Sequence, residues 1–261
     1  MILRRFTQHI KEQNWFAVGL DVIVVVVGIF LGMQVTEWND ERKTEARSQE
    51  YTQRLLTDLQ IEYKYARSVE KYFSTAYKSG TKAFDGLTGS SNETNQQILI
   101  HAFRTTQWMW YERHRATFDE LVSAGELRLI IDIELRNTAV NFYSNSTETY
   151  KEARDSLTFT EYRNLFDETI SPSLRAMLID LCGDKESPFD SNTNTVTFTV
   201  DYKCELDVDD ATINEAIKAL KENPNLITGL RRQTARLHTN FINISLLLDK
   251  SGIGKLFNSS N

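Results

Sequence analysis

Trp15 to Val35 reads WFAVGLDVIVVVVGIFLGMQV, and the run Val22 to Met33 inside it carries no charged or strongly hydrogen-bonding side chain. A helix rises about 1.5 Å per residue, so the interval from Trp15 to Trp38 covers about 34 Å, a hydrocarbon core plus part of its interfaces. Indole rings favour the two headgroup boundaries, and Trp15 and Trp38 stand where those boundaries would fall. The stretch therefore predicts one transmembrane helix over 15–36, anchored at its ends by these tryptophans. Two other readings compete. A cleaved signal peptide wants small residues after the apolar run, where this chain has Leu31-Gly32-Met33-Gln34-Val35-Thr36-Glu37. A buried core helix would need an apolar partner segment, and the chain offers none as apolar.

Three residues within the span invite sharper readings. Gly28 and Gly32 form a G-x-x-x-G pair that lets two helix backbones approach closely, and Asp21, seven residues before Gly28, falls on nearly the same face. This stripe is the candidate helix-packing surface. A carboxylate facing lipid is costly, so Asp21 either faces another protein helix or lies near enough to the Trp15 boundary to reach water. The sequence leaves both open, and G-x-x-x-G is a common pattern in apolar segments.

Outward from the span, residues 1–14 make a short tail carrying Arg4, Arg5 and Lys11, matched after the span by Arg42, Lys43 and Arg47. Basic residues alone do not orient the helix. An uncleaved signal-like helix with a short leading tail favours an N-terminus in the cytoplasm and the long remainder outside. The net charge of −6 over 261 residues belongs to that remainder, because the tail is basic. An acidic surface repels nucleic acid, so no nucleic-acid partner is expected.

With 41% apolar residues, 3 prolines and 11 glycines, the remainder reads as a mainly α domain with a sizeable core. Leu56, Leu59, Tyr63, Ala66, Val69, Phe73 and Ala76 recur at steps of three and four, which predicts an amphipathic stalk helix over 37–86. Gly86 to Asn92 breaks it. Ser91 or Asn92 then caps a helix over Gln96 to Thr105, opening a helical-bundle domain over 92–261. Trp108, Trp110 and Tyr111 suggest either a packing surface or a binding one. A helix from about Arg115 stops at Gly125, and a long helical pattern follows from Leu127 to Ile170, ended by Ser171-Pro172. Asn223-Pro224 divides two final helices, Asp210 to Lys221 and Leu226 to Leu248.

Residues 182–204 differ in style. Val196, Phe198, Val200 and Tyr202 alternate as in a strand, which predicts a small β-hairpin or flap inserted in the bundle. The chain's 2 cysteines, Cys182 and Cys204, bracket this flap. They either form a disulfide, which would place the domain in an oxidising compartment such as the bacterial periplasm, or remain buried thiols.

Motifs of catalysis are missing from the sequence. His9, His101, His114 and His238 give no metal-ligand spacing, and there is no nucleophile elbow, phosphate-binding loop or dinucleotide fingerprint. Asp207, Asp209 and Asp210 resemble the start of a calcium loop, but Ala211 and Thr212 stand where a ligand and a glycine belong, so helix capping is the better reading. Asn92, Asn145, Asn243 and Asn258 open acceptor tripeptides for glycosylation, a pattern too common to be diagnostic. Arg231, Arg232 and Arg236 read as a solvated face. The expectation is a chain without enzymatic activity, cofactor or metal.

Two segments carry a resemblance. Val25 to Asn39, of the type VVVGIFLG-Q-x-x-x-WN, and Phe118 to Leu127, of the type F-x-x-L-x-x-x-G-x-L, resemble an uncharacterised family of bacterial single-span envelope proteins with a helical extracytoplasmic domain. The resemblance covers most of the chain and implies topology and helical architecture, with no activity. Two functions then compete. One is an anchored interaction or scaffold domain whose partners are the lipid bilayer, a second copy of the chain and an envelope protein. The other is a single-span subunit of a proton-driven stator or energy transducer, in which Asp21 carries the proton.

Overall fold

The computed structural model describes residues 15–109, 113–186 and 198–258. Its first helix, α1, runs Trp15–Thr88. After it come α2 (Asn95–Arg104), α3 (Ala116–Ser123), a 3-10 turn at Leu127–Leu129, α4 (Ile133–Leu157), α5 (Glu161–Thr169) and α6 (Pro172–Cys182). Two short strands, β1 (Lys185–Glu186) and β2 (Phe198–Thr199), precede α7 (Asp210–Glu222), α8 (Pro224–Ser251) and α9 (Ile253–Asn258). The protein is mainly α, with a long apolar N-terminal helix, a helical bundle and one small antiparallel hairpin.

Local chemistry explains the helix ends. Thr94 and Gln97 form a reciprocal capping box at α2, each side chain accepting the other's backbone N–H. The cap is therefore Thr94, not Ser91 or Asn92, because only Thr94 has a glutamine three residues on. Asp132, Thr160, Ser171, Asp209 and Asn223 cap α4 to α8 by the same acceptor chemistry. Gly125 and Gly252, at φ +67° and +77°, supply the left-handed backbone that ends α3's turn and α8. The helical pattern expected to run unbroken to Ile170 is in fact divided at Thr158 to Thr160, between α4 and α5.

The chain divides into two compact units, residues 1–52 and 53–261. In the first, Leu20 and Val22 to Val27 are exposed on every side of α1, as are Ile29 to Leu31, Met33 and Val35. This helix is long and apolar enough to cross a membrane. The second unit holds the core. From Leu55 onward α1 buries Leu59, Ala66, Val69, Phe73 and Ala76, so the segment expected as a stalk over 37–86 contributes its later part, from Gln53, to the packed unit. Leu56 stands beside that face and is only partly buried, with Leu55 fully buried in its place.

Within the bundle α8 packs along α4 and α5, α2 against α6 and α7, and α9 turns back on α4 and α8. Tyr162, Phe166 and Phe103 join Leu99, Leu178 and Leu230 in one apolar cluster. The Tyr162 hydroxyl is buried there and donates to the Ala102 carbonyl at 2.8 Å, which removes the cost of hiding it.

Candidate functional site

Of the residues singled out in the span, Gly28 and Gly32 lie open on α1, with no atom within 4 Å of the place a Cβ would take at either. That geometry leaves room for a second backbone. Trp38 is exposed and carries the Arg42 guanidinium 5.1 Å from its ring centre, a pairing suited to a headgroup boundary. Trp15 and Asp21 belong to α1 by backbone, and their side chains lie outside what the structure describes.

The flap is tied down at its base. Cys182 and Cys204 are joined as a disulfide, with Cα atoms 5.4 Å apart, and Cys182 is fully buried. β1 and β2 pair antiparallel, Lys185 opposite Thr199 and Glu186 opposite Phe198. The alternation that begins at Val196 thus yields a strand at Phe198–Thr199, while residues 187–197 lie outside the described chain. Trp110 and Tyr111 do so too.

At the foot of the flap sits a partly buried acid that sequence reading missed. The Tyr72 hydroxyl lies 2.9 and 2.8 Å from the two carboxylate oxygens of Asp184. Burial pushes the Asp184 carboxyl up to about 6, although the Tyr72 hydrogen bond and the charges of Arg163 and Arg104 pull the other way. Burial, and then the adjacent Asp184, push the Tyr72 phenol well above its ordinary range. Arg104 donates to the Tyr202 carbonyl at 2.6 Å and lies 4.9 Å from that ring's centre, and Tyr202 in turn donates to the Gly183 carbonyl. Lys185 caps the ring from 4.1 Å. The group fastens the flap to α1 and α2.

A second feature is a pocket of about 440 Å³ lined by residues of α1, by Met109, Arg113 and Arg115, and by α4. Val69, Phe73 and Met109 form its apolar floor, and Arg113, Arg115, Lys151 and Arg154 line it as well. The two arginines of the loop are held from behind. Arg113 pairs at 3.2 Å with Glu62, whose side chain has no exposed surface, and Glu62 also accepts the His114 backbone N–H at 2.6 Å. Arg115 forks onto Asp119 and donates to Thr147 at 2.6 Å. The only sequence signal for this pocket was the aromatic and basic stretch from Gln107 to Arg115. Its other wall comes from positions on α4, among them Lys151 and Arg154, that nothing in the sequence singles out.

Asp209 caps α7, accepting the Thr212 N–H at 2.8 Å, which accounts for the acidic cluster around it. Among the described residues, no group of three His, Cys, Asp or Glu side chains is placed to hold a metal ion. Comparison with protein-family models, with curated proteins and with solved structures finds no match to this chain.

Proposed function

We propose that this protein is a single-span membrane anchor carrying a non-catalytic helical interaction domain. Its N-terminus lies in the cytoplasm of a bacterial cell and its bundle in the periplasm. One observation carries the reading: none of the apolar window of α1 is buried within the chain. An unbroken apolar surface of that length is unstable in water and stable in hydrocarbon. The Cys182–Cys204 disulfide supports an oxidising compartment for the bundle. The open Gly28 and Gly32 face supports association with a second copy or with a partner's span.

The test is crosslinking and affinity purification from native membranes, with wild type compared to Asp21→Asn and Gly28→Leu at equal expression. Recovery of the chain itself or of periplasmic proteins, unaffected by Asp21→Asn and reduced by Gly28→Leu, supports the proposal. Recovery of a multi-span protein that is lost with Asp21→Asn sinks it in favour of an ion-driven complex with Asp21 as its proton carrier.

A further inference from the structure

We infer that the seam between α4 and α8 binds a short zwitterionic peptide, two or three residues long with both termini free. This adds a ligand to the anchored-interaction reading without resting on the span, because both walls belong to the unit 53–261 and are described along their whole length.

A concavity of about 290 Å³ lies along that seam, close to the lower end of small-molecule sites at roughly 300 Å³. Asn145, Thr149 and Glu152 line it from α4, and Asn243, Leu246, Leu247 and Lys250 line it from α8. Both sets follow the three-and-four spacing of a single helix face.

The two faces differ in what they offer a ligand. Asn145 gives its Nδ2 to the Asn141 carbonyl at 2.7 Å, and Thr149 gives its hydroxyl proton to the Asn145 carbonyl at 3.0 Å, so each keeps an acceptor oxygen. Glu152 has no ion pair among the described residues. The α4 wall is therefore a row of acceptors, which suits an ammonium group. On α8, Lys250 has no ion pair and Asn243 no hydrogen bond among the described residues, and both present donors to a carboxylate. Glu152 and Lys250 are the charged groups of the lining among the described residues, one of each sign, and they are not joined to each other.

The direction of the helices sets the length of the ligand. They run antiparallel, since Asn240 donates to Ser156 at 3.0 Å and Gly252 stands beside Thr138. Glu152 and Lys250 thus enter from opposite ends of the groove, each leaning toward its own helix's N-terminus and so toward the middle. A single amino acid carries both charges on one carbon. Two or three residues spread them over about 7–10 Å, bring peptide N–H and C=O groups beside Asn145 and Asn243, and lay an apolar side chain on Leu246 and Leu247. Each terminus then gains charge-assisted hydrogen bonds from one wall.

The test uses the full chain in nanodiscs of phosphatidylcholine, titrated by calorimetry with leucyl-leucine, its N-acetyl and C-amide derivatives, and free leucine. One saturable site per chain is expected for leucyl-leucine, with binding at least fivefold weaker for each blocked peptide and for leucine. Glu152→Gln should weaken the free dipeptide at least fivefold and leave the N-acetyl peptide unchanged. Lys250→Gln should weaken the free dipeptide as much and leave the C-amide unchanged. Both side chains are exposed, so each variant should keep the wild-type unfolding midpoint, and a loss confined to one terminus separates a missing contact from a damaged fold. No saturation below about 1 mM, equal binding of the blocked peptides or of leucine, or indifference to both substitutions would overturn the inference and leave the anchored-interaction reading standing.

Discussion

At the scale of single residues, Asp184 is the clearest case of chemistry hidden from the sequence. Nothing in Cys-Gly-Asp-Lys marks it, because its character comes from burial against elements distant in sequence, among them the helix that carries Tyr72. Its carboxyl titrates at about 6 when folded, against an ordinary value of 3.8. Between those values the folded chain holds a proton that the unfolded chain has released. The stability this contributes is therefore complete below about pH 4 and is lost as pH rises through about 6. At 1.36 kcal/mol per pKa unit the effect is about 3 kcal/mol. Asp184→Asn keeps an acceptor for the Tyr72 hydroxyl and cannot ionise. We expect wild type to lose about 2 kcal/mol relative to Asp184→Asn between pH 4 and pH 7, most of the full effect, measured by urea unfolding in matched buffers. Parallel curves for the two proteins across that range would refute the assignment.

At the scale of elements, the helices were legible wherever a cap or a breaker punctuated them. Pro172 and Pro224 open α6 and α8, and Gly125 closes a turn with a φ value that other residues resist, whereas the end of α8 at Gly252 was not read. The break before α5 was not legible. Leu157 and Tyr162 are both buried and five residues apart, which an unbroken apolar stripe tolerates, and Thr158-Phe159-Thr160 contains neither glycine nor proline. Phe159, between them, is 89% exposed and faces water. Burial also explains the later part of α1, where the helix repeat was clear but its partners were not. Gly86 shows how close those partners come, since a Cβ there would lie 2.5 Å from Ile98 Cγ1. Alanine gains about 1 kcal/mol in helix propensity, and overpacking costs roughly 1–3 kcal/mol. Ile98 is itself buried and β-branched, with little room to yield, so Gly86→Ala should destabilise the protein by about 1–2 kcal/mol. Gly28→Ala, with open space at its site and outside the packed unit 53–261, should carry no overpacking cost and leave that unit's unfolding midpoint unchanged.

At the scale of the molecule, the division at Thr52 and Gln53 separates two ways of satisfying apolar surface. The first unit leaves its valines and isoleucines exposed along α1, and the second encloses Leu99, Phe166, Leu178 and Leu230 within its own walls. Sequence revealed the first because its apolar residues are contiguous. It could not reveal the pocket, whose lining comes from segments as far apart as Val69 and Arg154. If the second core is self-sufficient, a fragment from Glu45 to Asn261, with about two helical turns left ahead of Gln53 to absorb fraying, should fold in water without detergent. Its unfolding should be cooperative. Reducing the disulfide, which closes a loop across a sequence separation of 22, should lower its stability by about 3 kcal/mol. The full chain should instead need detergent or lipid to stay dispersed. A fragment that aggregates while oxidised, or a full chain that stays monodisperse in plain buffer, would mean that the apolar part of α1 is covered by protein, and the membrane reading would fail with it.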